Sequence, residues 1–125
     1  MKRKFGEYLK IKRQSQGWSL RKIASILDLS PAYINDIEKG KRNSPSLDLL
    51  MSFAETFQLT DHEIETVIDM ASEDRDEIPM DLPEYIKSNE LVKEALRKAR
   101  KKAERDSDIV DSAWRVFIEA IDDLE

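Results

Sequence analysis

The chain contains no cysteine, which excludes disulfides, a thiolate metal site and a thiol nucleophile. Glycine and proline are scarce, three and four in 125 residues. So few breakers favour helices joined by short connections. No segment alternates apolar and polar residues between turn signals, so no strand is expected. His62 is the sole histidine and has only Asp61, Glu63 and Glu65 beside it. A metal site needs more organised ligands than that. The acidic run from Glu73 to Glu84 lacks the spaced ligands and mid-loop glycine of a calcium loop. There is neither a glycine-rich phosphate loop nor a nucleophile–base pair. No apolar run approaches the ~20 residues of a membrane span. The start, Met1-Lys2-Arg3-Lys4-Phe5-Gly6, is basic but lacks the apolar stretch of a secretory signal. The expectation is a cytoplasmic chain with no catalytic residues, no cofactor and no metal.

What is present is charge, unevenly spread. The chain has 21 Lys and Arg against 26 Asp and Glu, a net of −5. Residues 1–45 nevertheless carry 11 basic and 4 acidic side chains, and residues 46–125 carry 10 and 22. Such asymmetry points to a basic contact surface on an otherwise acidic molecule.

The apolar residues recur at helical spacing. Phe5, Leu9 and Lys12, with Tyr8 and Ile11, mark a first helix over about 5–16, ended by Gly17. Ser19 stands at the N-cap of a second, carrying Leu20, Ile23, Ala24 and Leu27. Ser30-Pro31 opens a third over about 31–39, whose inner side is Ile34 and Ile37 and whose end is Gly40. Ser46 heads a fourth with Leu47, Leu50, Phe53, Ala54 and Phe57. Thr60 to Glu63 has the spacing of a capping box and opens a fifth, with Ile64, Val67, Ile68 and Ala71. The acidic stretch 73–82 reads as a linker between a domain over 1–72 and a helical extension over 83–125. Pro83 starts a short helix, Asn89 caps one over about 90–105, and Asp106-Ser107-Asp108 caps the last, over about 109–123. The fold class is all-α: a five-helix domain followed by a helical extension.

Only Asp28 to Ser30 separates the second helix from the third, which is the helix-turn-helix arrangement. In it the second of the two helices lies in the DNA major groove. The run Ser30-Pro-Ala-Tyr-Ile-Asn-Asp-Ile-Glu-Lys-Gly-Lys-Arg-Asn-Ser-Pro-Ser46, with Trp18-Ser19, Ile23-Ala24 and Leu47 through Leu50, resembles the lambda-repressor-like, Cro/repressor-type regulators of bacteria and phages. The resemblance covers residues 5–59. Two positions depart from it: Leu20 stands where members often have Gln, and Asp28 where they often have Gly.

The resemblance implies a DNA-binding transcription regulator, a dimeric repressor. Pro31, Ala32, Asn35 and Asp36 occupy positions that meet bases, with Tyr33 at the edge. Asn pairs bidentately with adenine, Asp accepts from cytosine, and Ala or Pro touches a thymine methyl. The alternative is that Asn35 and Asp36 are solvated, with Asp36 paired to Lys39. Phosphate contacts are expected from Lys41 and Arg42, and from Lys39, Asn43 and Ser44 around them. Ser19, Arg21 and Lys22 open the second helix, where backbone amides and positive charge also favour a phosphate. Lys2, Arg3 and Lys4 either trail along the DNA backbone or form a loose basic end. By the resemblance, Arg13 and Glu38 form an internal ion pair tying the first helix to the third.

Two features lie outside the motif. Arg97, Lys98, Arg100, Lys101, Lys102 and Arg105 make a second basic cluster, either an added nucleic-acid contact or a balance to the acids around it. Ile109, Ala113, Trp114, Phe117, Ile118 and Ile121 form an apolar stripe that must pack on something. A two-fold homodimer is the expected use, and packing within the monomer the alternative. A rival reading makes the chain an antitoxin or protein-interaction subunit whose C-terminal helices hold a toxin or a regulatory protease.

Overall fold

The computed structural model describes residues 4–125, which form eight α-helices and no strand. They are α1 (Lys4–Ser15), α2 (Leu20–Leu27), α3 (Pro31–Glu38), α4 (Leu47–Thr56), α5 (Asp61–Asp74), α6 (Pro83–Ser88), α7 (Glu90–Ala103) and α8 (Ser107–Asp122). None is long and apolar enough to cross a membrane. The chain divides into two compact units, Met1–Pro83 and Glu84–Glu125.

The first unit is built around one core. Phe5 and Leu9 of α1, Ile23 and Ala24 of α2, Ile34 and Ile37 of α3, Leu50 and Phe53 of α4, and Val67 and Ala71 of α5 are buried together. Burial of this kind, not helix propensity, holds such short helices in place. Phe5 and Phe53 meet edge to face at 5.5 Å between ring centres, and Trp18 stacks on Phe57 at the same separation. Ile11, expected on the inner face of α1, is exposed instead. Two residues beyond Leu9 is about 200° around a helix, so both cannot face the core. Gly6 lies where α1 meets the end of α3, and a Cβ there would collide with the carbonyl oxygen of Ile37.

Side chains set the helix starts. Ser19 Oγ accepts from Lys22 N, Ser30 Oγ from Tyr33 N, Asn89 Oδ1 from Val92 N and Asp106 Oδ1 from Ile109 N. The capping box at Thr60 is complete in both directions. Ser46 takes the N-cap position of α4, but its side chain makes no capping bond.

The segment 73–82, expected as a linker, is part of the first unit. Helix α5 runs on to Asp74. Beyond it, Glu77 N donates to Ser72 O and Met80 N to Ser72 Oγ, while Met80 packs on the core. Ser72 is buried, and its hydroxyl donates in turn to Ile68 O. These bonds fold the segment back along α5.

The second unit holds most of α6 together with α7 and α8, the last two packed against each other. Val110 is its one buried hydrophobic side chain.

Candidate nucleic-acid interface

Helices α2 and α3 enclose a tight turn. Asp28 ends α2 in the left-handed region, at φ 56° and ψ 47°. Asp28 N donates to Ser25 O and Leu29 N to Ala24 O, which closes the last turn of α2. Asp thus does the work that glycine does in such turns, since Asp and Asn tolerate this conformation better than most residues. Leu20 packs against the core, so at this position the domain uses an apolar contact.

Ile34 and Ile37 anchor α3 from behind. The outer side then carries Pro31 and Ala32, which are exposed, and Tyr33, Asn35 and Asp36, which are half-buried. Asp36 does not pair with Lys39. Its carboxylate accepts from Arg42 Nε at 3.4 Å, and the Arg42 guanidinium also lies over the Tyr33 ring, 5.2 Å from its centre. Tyr33, Asp36 and Arg42 therefore form one cluster beside the outer face of α3. Helix α3 ends in a closed turn in which Gly40, at φ 72°, donates to Ile37 O and Lys41 N to Asp36 O. That turn throws Lys41, Arg42 and Asn43 into solvent next to Lys39.

Arg13 lies behind this face. Its Nε donates to Glu38 Oε2 at 2.7 Å and its Nη2 to Glu38 Oε1 at 2.9 Å, a bidentate pair between α1 and α3. Nη1 donates to Trp18 O as well. The side chains are 13% and 4% exposed, so this ion pair is structural. The Glu38 carboxylate raises the Arg13 pKa further above its usual value, chiefly through the hydrogen bond.

The helix-turn-helix family model matches residues 9–64. Over these residues the chain is thus similar to the helix-turn-helix family. The HTH-type transcriptional regulator DdrOP3 of Deinococcus deserti is 39% identical over 61 residues, which are 49% of this chain and 46% of that relative. The chain thus matches about half the length of that curated relative. No solved structure matches it.

The helix-turn-helix domain brings most of the sequence-predicted residues together. Ser19, Arg21 and Lys22 are exposed at the start of α2, and Lys39, Lys41, Arg42 and Asn43 are exposed after α3. Ser44 differs. It was expected among the phosphate contacts but is 3% exposed, and its Oγ donates to Asp74 Oδ2. A hydroxyl enclosed in this way supports the loop from inside. Lys2 and Arg3 lie outside the described residues. Lys4 is paired at 2.9 Å with Glu73, whose hydrogen bond and charge raise the Lys4 pKa, so this residue is no loose end.

Asp74 and Arg75 escaped the sequence reading. Asp74 accepts from Lys4 N at 3.1 Å and Phe5 N at 3.0 Å, capping α1 from the far end of α5. Arg75 Nη1 donates to Ser44 O at 3.0 Å. Lys4, Phe5 and Ser44 are 30 to 70 residues away from them, beyond the reach of any local pattern.

Proposed function

We propose that the chain is a sequence-specific DNA-binding transcription regulator, a repressor that acts as a homodimer by occupying its site. It performs no chemistry of its own. One observation carries this reading: α3 buries Ile34 and Ile37, leaves Pro31 and Ala32 exposed, and has exposed cations before it at the start of α2, Arg21 and Lys22, and after it, Lys39, Lys41 and Arg42. Pro31, Ala32 and Asn35 then face base edges, with Tyr33 and Asp36 beside them, and the cations take phosphates. A dimer places two α3 helices in successive major grooves, about 34–36 Å apart.

The second unit is assigned to dimerisation. Ile109, Phe117, Ile118 and Ile121 are exposed large hydrophobics of α8, and Ala113 is exposed with them. Trp114 is half-buried and meets Phe117 edge to face at 5.9 Å. A helical unit of this size with one buried hydrophobic residue lacks a core of its own, and pairing with a second copy supplies one.

Selection of bound sites from random duplexes returns half-site, spacing and symmetry together. On the selected duplex, Asn35→Ala costs about 1–3 kcal/mol at one base pair and relaxes preference only there. Lys41→Ala weakens binding to all duplexes alike and lowers the log–log salt slope by roughly 1. If both variants fold and bind as the parent does, α3 and the loop after it are not the DNA face.

A further inference from the structure

We propose that Asp74 and Arg75 form a clamp that sets the position of the loop 41–46 against α3, so that phosphate binding by this loop depends on the last turn of α5. The inference rests on the DNA reading of Lys41 and Arg42 given above. The clamp itself lies outside the matched helix-turn-helix region, which ends at residue 64.

The loop after α3 has few holds of its own. Gly40 and Lys41 are fixed by the closing turn of α3. Arg42 is held by a long, half-exposed pair with Asp36 and by its place over the Tyr33 ring, both on its side chain. From there to Ser46 the two sides of Ser44 carry the attachment. Its hydroxyl donates to Asp74 at 3.2 Å, and its carbonyl accepts from Arg75 at 3.0 Å. Ser44 and Pro45 are both buried. The same Asp74 carboxylate receives the first two described amides of α1, so it is pinned from the side opposite the loop. Arg75 is braced by Glu77 at 3.3 Å. Two adjacent residues therefore join the end of α5, the start of α1 and the loop that presents Lys41 and Arg42. A charge-assisted bond to a buried carbonyl is among the stronger hydrogen bonds, and a carbonyl left without it stays desolvated.

The experiment uses the full chain with Arg75→Ala, Lys41→Ala, the double variant and the milder Ser44→Ala. Order parameters of the amides at 42–44 are read by NMR relaxation without DNA, and affinity is read by anisotropy on the selected duplex and on random duplexes. In Arg75→Ala the loop amides fall from about 0.85 to below about 0.6 while the far-ultraviolet signal is kept. Affinity falls about tenfold for all duplexes alike, and Lys41→Ala in that background costs little more. Ser44→Ala moves both readouts in the same direction by less, and it decides the matter if Arg75→Ala does not fold. An unchanged loop in a folded Arg75→Ala overturns the clamp. Losses from Arg75→Ala and Lys41→Ala that multiply also overturn it, since Arg75 would then be an independent phosphate ligand. If the loop loosens but Lys41→Ala leaves DNA affinity intact, the clamp stands and the DNA reading of the loop fails.

Discussion

Glu38 sits at the end of α3 with its carboxylate 4% exposed and both oxygens on Arg13. A carboxylate so enclosed is tolerable only with its partner in place. Truncating it leaves the guanidinium half-desolvated and unpaired, at a cost of about 3–5 kcal/mol. Glu38→Ala should therefore lower the urea midpoint sharply, and any loss of DNA binding should follow the unfolded fraction. A loss below about 1 kcal/mol would show that water takes over the role of Glu38. This pair could be expected from the sequence because its two residues sit inside a recognisable motif. Gly6 and Asp74 could not. Gly6 matters because α1 approaches the backbone of Ile37, and Asp74 because the chain returns to Lys4 and Phe5. Both are consequences of packing, which no spacing of residue types encodes. Ser44 departs from expectation for a related reason. Composition makes it a polar loop residue, whereas burial makes it a support.

The helices begin and end by different rules, and this decides how well each boundary could be foreseen. Starts are marked by side chains: Ser19, Ser30, Thr60, Asn89 and Asp106 all cap as their residue types suggest. Ends depend on backbone. All five helices of the first unit close with the same pair of bonds around one left-handed residue, at Gly17, Asp28, Gly40, Gln58 and Asp76. Glycine announces two of these ends, and the motif flags Asp28. Gln58 and Asp76 carry no such signal: Gln58 lies between Phe57 and Leu59, which both pack on the core, and Asp76 turns the chain ahead of Met80, which packs there too. The start of α5 has a testable pH dependence. The Thr60 amide donates to Glu63 Oε1, and this bond, with the Lys12 charge nearby, holds the Glu63 pKa below its ordinary 4.5. A lowered folded-state value stabilises above the unfolded glutamate range, and the gain is lost as pH falls through the folded value. Melting temperature followed from neutral into acid solution should fall more steeply for the parent than for Glu63→Gln, which keeps the acceptor without the charge. Parallel curves would mean that the capping bond contributes nothing to folding.

The net charge of −5 averages regions that do different work. The basic first third surrounds α2 and α3, while residues 46–96 carry 3 basic and 14 acidic side chains. In the second unit Lys98 pairs with Glu94 and Arg100 with Glu104 along α7 itself. Those pairs engage two of the six cations of the basic cluster locally. Helix α8 is acidic between its apolar positions, through Asp108, Asp111, Glu119 and Asp122. A second copy that lays its α8 stripe on this unit would bury Phe117 and Ile118 and bring acids towards the cations of α7. Folding of the second unit would then be inseparable from protomer concentration. The full chain should sediment as a dimer at concentrations on the order of tens of micromolar, and its melting should shift upward with concentration. Phe117→Glu with Ile118→Glu should give a monomer whose first unit keeps its own transition and whose salt-dependent binding to random duplexes persists, while binding to the paired half-sites weakens. A parent chain that is monomeric under those conditions, with melting independent of concentration, would remove the homodimer and leave the α8 stripe to a different protein.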